Sequence, residues 1–231
     1  MRKQTGFTLI EIAIVLVIIG LLLGGVLKGQ ELITSARVRN IVSQQDGVKA
    51  AYFGFLDRYR ALPGDYDQAF QNIANISNAS GCTNGSQQGN GNGNGRIEVA
   101  GPGFETILAW EHLSKAGFIN GSYTCATTET TSTTPNNAFA TRLQLIWDPV
   151  FAGAAGVARH NLKTGNQIPS DLLSEVDRKV DDGNANSGIF RFSAYAGGGA
   201  APDPATCVST ATGTPFNATT PDANCGGATL F

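Results

Sequence analysis

An apolar run at the start of the sequence limits what this chain can fold into. Residues 7–27 are almost all apolar, and Glu11 is the one ionisable side chain among them. As a helix these 21 residues would be roughly 31 Å long at about 1.5 Å per residue, which matches the hydrocarbon thickness of a bilayer. The run therefore predicts a membrane-spanning helix or an export signal.

The residues on either side of the run set its orientation. Arg2 and Lys3 precede it, so the positive-inside bias places the amino terminus in the cytoplasm and sends the rest of the chain out. An ordinary signal peptide has a small-residue cleavage site after its apolar core, and Gly24 and Gly25 match that pattern weakly. On hydropathy alone, a signal peptide and a single-span anchor remain alternatives.

Glu11 adds a constraint that neither alternative explains. A charged side chain within a membrane helix costs on the order of 3 kcal/mol and usually has a partner. No cation lies in the run, so we expect the partner to come from another chain or from a terminus made by processing. A cut between Gly6 and Phe7 would place a new α-ammonium four residues before Glu11.

The stretch KQTGFTLIE at residues 3–11, followed by an apolar helix, resembles the class III signal of type IV pilins and of type II secretion pseudopilins. The resemblance implies that a prepilin peptidase cuts after Gly6 and methylates Phe7. It also implies that Glu11 neutralises the amino terminus of an adjacent subunit in a helical filament. The expected partners are copies of the chain, other pilins or pseudopilins, the peptidase/methyltransferase, an inner-membrane assembly platform, and membrane lipid before assembly.

The same resemblance implies a location and a choice of roles. We expect a single-pass protein of the bacterial inner membrane that moves into a periplasmic or cell-surface filament. Many major pilins have a proline where this chain has Lys28, which favours a pseudopilin or another pilin-like secretion protein. Glycine costs about 1 kcal/mol in a helix interior, so Gly20, Gly24 and Gly25 predict loosening of the helix over residues 20–29 in a filament. The spacing of Gly20 and Gly24 also suits close helix packing, and a bundle of identical helices allows both.

The rest of the chain predicts an α+β head on a long helix. Apolar side chains at helical spacing continue to Tyr59, and Pro63 and Gly64 then end the helix. Further helices are predicted over residues 104–116 and 170–180, and strands over 142–147 and 189–195, with 150–158 ambiguous. The predicted organisation is a cleaved leader at 1–6, a helix at 7–60 whose first part to 27 spans the membrane or fills the filament core, and a head at 61–231, as in the pilin fold.

Composition argues against several other classes of protein. The formal net charge is −2, which gives no electrostatic case for a nucleic-acid partner. With two histidines, no nucleophile motif and no phosphate loop, we expect no enzyme, and His112 to be a surface or packing residue. A membrane-anchored extracytoplasmic binding protein, or a minor pilin for adhesion or DNA uptake, remains the alternative.

Two segments have the spacing of a calcium loop, although the sequence predicts no required cofactor. Residues 90–95 alternate Asn and Gly without carboxylates, which favours a flexible loop over a metal site. Because calcium is bound in a C-terminal loop of major pseudopilins, the resemblance makes a second cluster the better candidate, although a solvated turn after a helix is still favoured. That cluster consists of Asp177, Asp181, Asp182, Asn184 and Asn186.

The four cysteines all lie far from the apolar run, at Cys82, Cys125, Cys207 and Cys225. An even number in an exported chain predicts two disulfides, and three pairings are possible. We favour local pairing, in which Cys207 with Cys225 closes the irregular tail and Cys82 with Cys125 fastens the loop after the first helix. In the chain-entropy model the tail loop is worth roughly 3 kcal/mol.

Overall fold

The computed structural model describes residues 8–77, 89–99, 104–153, 156–210 and 213–231. They form a long amino-terminal helix and an antiparallel four-stranded sheet with shorter helices, which confirms the predicted α+β class. The helices are α1 Leu9–Tyr59, α2 Ala69–Asn72, α3 Glu105–Lys115, α4 Ser170–Val180 and α5 Pro204–Cys207. The strands are β1 Gln144–Asp148, β2 Arg159–Lys163, β3 Phe190–Phe192 and β4 Gly227–Leu230.

Helix α1 contributes to two compact units, Met1–Arg37 and Val38–Phe231. In the second unit its buried residues recur at steps of three and four, as the apolar spacing predicted: Val38, Ile41, Gln45, Val48, Ala51, Tyr52 and Phe55. Gln45 is the polar member of this stripe, and its Oε1 accepts a hydrogen bond from the Thr229 hydroxyl of β4 at 2.9 Å. The stripe therefore joins α1 to the sheet by one polar contact as well as by apolar packing.

The end of α1 follows from the backbone of the residues after it. Arg60 has a left-handed φ of 55°, and Gly64 has a φ of 89°. A Cβ added at Gly64 would lie 2.3 Å from the carbonyl oxygen of Glu105, so only glycine lets the chain pass this close to α3. The predicted termination at Pro63 and Gly64 thus also docks α3 against the end of α1.

The sheet has the order β1-β2-β4-β3 with antiparallel pairing throughout. Strands β1 and β3 lie where alternation predicted strands, whereas β2 begins at Arg159, after the ambiguous segment 150–158. Strand β4 was missed because the tail shows no alternation. All four of its residues are buried, and burial on both faces removes the period-two pattern.

Two apolar clusters fill the unit that begins at Val38. In one, α1 and α3 pack against Leu145 and Leu162 of the sheet, with Trp110 at the centre. In the other, α1 and α4 pack around Phe190 and Phe216 together with the Cys207–Cys225 disulfide. That disulfide is the local pairing predicted for the tail. Cys125 is also disulfide-bonded, but Cys82 lies outside the described residues, so its pairing stays a prediction.

Helix α3 is unusual because polar side chains on it are fully buried. Glu111 accepts hydrogen bonds from the backbone nitrogens of Ser77 at 2.7 Å and Cys125 at 3.0 Å. His112 accepts one at Nδ1 from the Gly64 nitrogen at 3.0 Å, so its Nε2 carries the proton and donates to the Gly89 carbonyl at 2.9 Å. These contacts fasten loops that have no ladder of their own. His112 is fully buried, so it is a packing residue, which is one of the two roles that the sequence left open.

The protonation of His112 gives the fold a pH dependence. Burial lowers the pKa of His112 from its ordinary 6.5 to about 4. Between those values the folded chain binds fewer protons than the unfolded chain. The contribution of neutral His112 to stability is therefore fully present above pH about 6.5 and is lost as the pH falls toward about 4. Between pH about 7 and pH about 4.5, we expect the detergent-solubilised wild-type chain to lose more unfolding free energy than the His112→Gln variant loses.

The Gln variant is a matched control because it keeps a donor and an acceptor but does not titrate. His160, whose pKa burial also lowers to about 4, is present in both proteins and cancels in the comparison. Equal losses of unfolding free energy in the two proteins would contradict the assignment of a neutral imidazole at position 112 whose hydrogen bonds stabilise the fold.

Candidate functional site

The amino end of α1 is a closed hydrogen-bonded unit built by Thr8 and Glu11. Thr8 lies directly before the helix and donates to Glu11 Oε2 twice, from its backbone nitrogen at 2.8 Å and from its hydroxyl at 2.7 Å. The Glu11 nitrogen donates back to the Thr8 hydroxyl oxygen at 3.3 Å. This is a capping box, in which a Thr and a Glu three residues later satisfy each other's free backbone donors at a helix start.

The capping box adds to one expectation from the sequence. We expect the charged partner of Glu11 to come from another chain or from a processed terminus, because no cation lies in the run, and that expectation stays a prediction. In the single subunit the carboxylate has two neutral donors within its own chain. The T-x-x-E spacing at residues 8–11 is itself a helix-start signal and could have revealed this contact. Gly6 and Phe7 lie outside the described residues, so cleavage and methylation there stay predictions.

The two donors leave part of the carboxylate available. Both reach Oε2, and no donor among the described residues reaches Oε1 of Glu11. Neither donor carries a charge, so the capping box lowers the cost of the carboxylate but does not neutralise it. The arrangement can therefore accept a cation at Oε1 without first losing the contact to Thr8.

The helix that follows exposes apolar side chains on every side. From residue 8 to residue 28 every described residue is exposed, and α1 is long and apolar enough to cross a membrane by length and composition. A Cβ added at Gly20, Gly24 or Gly25 would meet no described atom within 4 Å. The space above these glycines is open to lipid or to another helix. Helix α1 is continuous here in the single subunit, and loosening in a filament stays a prediction.

The acidic residues singled out in the sequence come together at the end of α4. Ligand oxygens of Asp177, Asp181 and Asp182 lie within 4.8 Å of one another. Asp177 is fully buried, and neither of its carboxylate oxygens has a hydrogen-bond partner among the described residues. Burial, followed by the charges of Asp182 and Asp181, raises the pKa of Asp177 to about 7.

Every member of the predicted cluster except Asp177 also forms hydrogen bonds within the loop, and Asp181 Oδ2 accepts one from the Phe190 nitrogen at 3.0 Å. The amide oxygen of Asn184 accepts from the Asn186 nitrogen at 3.0 Å and from the Thr214 hydroxyl at 2.7 Å. Asp182 accepts from the Asn184 nitrogen at 2.9 Å and from the Ser187 hydroxyl at 2.6 Å. The structure thus brings three carboxylates together and engages both asparagines in the loop's own hydrogen bonds. Hard cations such as calcium prefer oxygen donors of this kind.

The Asn-Gly segment is not the flexible loop that the sequence favoured. Asp65 holds it by accepting hydrogen bonds from the nitrogens of Asn94 at 3.0 Å and Gly95 at 2.8 Å. Glu105 of α3 accepts another from the Asn92 nitrogen at 3.1 Å. These oxygens face backbone N–H groups, which leaves them poorly placed for a cation. The short helix α2 has Gln68 as its N-cap residue, with no side-chain hydrogen bond.

Comparison with known proteins adds one match. Residues 1–27 match the family model of the prokaryotic N-terminal methylation motif. Neither the curated proteins nor the solved structures include a significant match to this chain. The motif is one that pilin-type structural proteins carry, and the apolar part of α1 that follows it has the length and composition of a membrane anchor. The chain therefore carries the class III prepilin signal of type IV pilins and pseudopilins, and it is of the type that prepilin peptidase processes.

Proposed function

We propose that this chain is a structural subunit of a pseudopilus or of a type IV pilus-like filament. It inserts once into the bacterial inner membrane with its amino terminus in the cytoplasm, is cut after Gly6 and methylated at Phe7, and assembles through α1. The observation that carries the proposal is the Thr8–Glu11 capping box at the start of an apolar helical segment whose residues from 8 to 28 are all exposed. The absence of a proline at Lys28 favours the pseudopilus.

The capping box suggests how the carboxylate behaves before and during assembly. In the membrane, Thr8 supplies two hydrogen bonds that reduce the cost of carrying Glu11 into an apolar environment. During assembly, the α-ammonium of Phe7 on a neighbouring subunit approaches and provides the missing positive charge. Because ion pairs strengthen as the surroundings become less polar, this contact favours the helix bundle over the isolated helix in lipid.

The remaining surface of α1 supports the same role. Its apolar side chains find equivalent surroundings in lipid and among copies of the same helix, so burial alone does not decide between them. Small residues that let helices approach closely do contribute, and the open surface at Gly20 and Gly24 provides such a place. Polar pairing at Glu11 and close packing at the glycines therefore act together.

A membrane-anchored binding protein is the second candidate, and one observation favours it. The head contains a largely apolar cavity of about 600 Å³, lined among others by Val150, Phe151, Phe192 and Val208. Cavities of this size and character hold small ligands in many proteins. A simple membrane anchor, however, does not require a carboxylate at Glu11, so the effect of substituting Glu11 distinguishes the two candidates.

Substitution of Glu11 tests the filament proposal. Glu11→Ala should still insert and be processed, because its membrane helix becomes more apolar. Filament yield should fall by more than about tenfold, which corresponds to the loss of about 1.4 kcal/mol of pairing energy per subunit. The measurement is the fraction of subunit recovered in sheared filaments relative to the fraction in membranes, together with electron microscopy of the fibres.

Two Thr8 variants serve as matched controls for this experiment. Thr8→Ser keeps the hydroxyl donor and should assemble normally, whereas Thr8→Val removes it and should assemble less well than Thr8→Ser. Filaments from Glu11→Ala in normal amounts would contradict the proposal and favour the anchored binding protein.

We also propose that the carboxylates of Asp177, Asp181 and Asp182 hold a calcium ion that stabilises the head. The proposal rests on the donor set and on the buried, unpartnered oxygens of Asp177. A bound cation would offset both the burial and the mutual repulsion of these groups. Without a cation, the repulsion among these carboxylates and the cost of burying Asp177 fall only when Asp177 takes up a proton.

Thermal unfolding of the detergent-solubilised chain tests the calcium proposal. Because the pKa of Asp177 is raised, its stabilising protonation is present at acidic pH and is lost as the pH rises through about 7. Calcium should therefore raise the melting temperature more at pH about 8 than at pH about 5. At pH about 8 and a hundredfold excess of calcium over Kd, the stabilisation should be about 2.7 kcal/mol. Asp177→Asn should be insensitive to calcium, and a wild-type chain unaffected by chelator removes the idea.

A further inference from the structure

The chain contains several Asn-Gly pairs, and they differ in how their side chains and backbone nitrogens are hydrogen-bonded. They are Asn84-Gly85, Asn90-Gly91, Asn92-Gly93, Asn94-Gly95 and Asn120-Gly121. In such a pair the glycine nitrogen can reach the asparagine side-chain carbonyl carbon, because glycine has no Cβ in the way and a flexible backbone. Asn84 and Gly85 lie outside the described residues, so four pairs can be compared.

The reaction proceeds in two steps and needs only water as a co-reactant. The glycine backbone nitrogen loses its proton to hydroxide and attacks the asparagine Cγ, the bond from Cγ to the side-chain nitrogen breaks, and ammonia leaves a cyclic succinimide. Water then opens either carbonyl of the ring. One opening gives aspartate and the other gives isoaspartate, so a neutral amide becomes a carboxylate in both cases.

In the loop around Asp65 each attacking nitrogen is already engaged. Gly91 donates to the Tyr66 carbonyl at 2.8 Å, and Gly93 donates to the Asp65 carbonyl at 2.9 Å. Gly95 donates to the Asp65 carboxylate at 2.8 Å. To react, each nitrogen must give up its hydrogen bond and its proton together, which requires local opening of the loop.

The side chains that would be attacked are held as well. The amide oxygen of Asn92 accepts from the Asn94 nitrogen at 2.9 Å. The amide oxygen of Asn94 accepts from the Arg96 nitrogen at 2.8 Å, and its nitrogen donates to Glu98 at 3.0 Å. The two reacting groups in each pair are therefore fixed in separate contacts.

Asn120 and Gly121 lie in the turn after α3 and have none of these restraints. Both residues are exposed, and Gly121 has a φ of 106°. Neither the Gly121 nitrogen nor the Asn120 side chain has a hydrogen bond to any residue that the structure describes. Exposure is not the difference, because Asn92 and Asn94 are exposed too. What differs is the hydrogen bonding.

We propose that Asn120 is a site of spontaneous deamidation in the folded chain, and that the loop around Asp65 protects Asn92 and Asn94 from the same reaction. The product places a negative charge in the turn where Lys115 donates to the Ser122 hydroxyl at 3.3 Å. This modification is independent of the filament role, since it depends only on local geometry in the head. It would make the head more negatively charged as the protein ages.

Peptide mapping by mass spectrometry of the full-length, detergent-solubilised chain tests the proposal. After incubation in mildly alkaline buffer, Asn120 should convert to aspartate and isoaspartate at least about tenfold faster than Asn92 or Asn94, which must first lose their hydrogen bonds. In concentrated urea the rates should become similar. Asn120→Gln is the control that removes the fast conversion.

A second variant separates the two loop sites from each other. Asp65→Ala removes the acceptor of Gly95 but keeps the backbone carbonyl that holds Gly93, so Asn94 should accelerate relative to Asn92 if circular dichroism shows a folded chain. Comparison of native chain with urea-treated chain decides the matter even where that variant misfolds. Equal rates at Asn92, Asn94 and Asn120 in the native chain, or an Asn120 that stays an amide, would overturn the proposal.

Discussion

A carboxylate in an apolar helix needs hydrogen-bond partners at every stage, and this constraint organises the amino-terminal part of the chain. Thr8 meets it in the single subunit by donating twice to Glu11. The contact is local, costs no additional residue, and leaves Oε1 without a donor among the described residues. The filament role that we propose requires this combination, because the carboxylate must be tolerated in lipid and still be available to a neighbour's ammonium. In the proposed filament, the affinity of one subunit for the next depends on how these two states differ in energy.

The head solves a related problem by a different arrangement. Much of it is irregular, so backbone N–H groups that would pair in a ladder need other acceptors. Buried polar side chains provide them, with Glu111 holding Ser77 and Cys125, and Asp65 holding the Asn-Gly loop. Asp177 is the exception, because its buried oxygens have no described partner. Throughout the head, buried carboxylates either organise a loop or mark a position where a ligand is expected.

The sequence predicted the parts of this fold that depend on periodic patterns. The stripe from Val38 to Phe55, the helix α4 and the strand around Phe190 were all visible as periods of three to four or of two. Strand β4 escaped because burial on both faces erases alternation. The hydrogen bonds from the Asn-Gly loop to Asp65 were not predicted, because Asp65 lies about 30 residues before Asn94 and Gly95 in the sequence. The capping box is predictable from the T-x-x-E spacing of Thr8 and Glu11, in which the donors to the carboxylate are neutral.

In the proposed filament, a processed amino terminus supplies the positive charge that pairs with the Glu11 carboxylate. The most direct measurement is mass spectrometry of the amino-terminal peptide of the chain recovered from the envelope of cells that contain a prepilin peptidase. We predict a chain that starts at Phe7 and carries a methyl group on its α-nitrogen, which leaves a cation four residues from Glu11. A mature chain that retains Met1 would contradict the claim, because no new ammonium would then exist for Glu11 to bind.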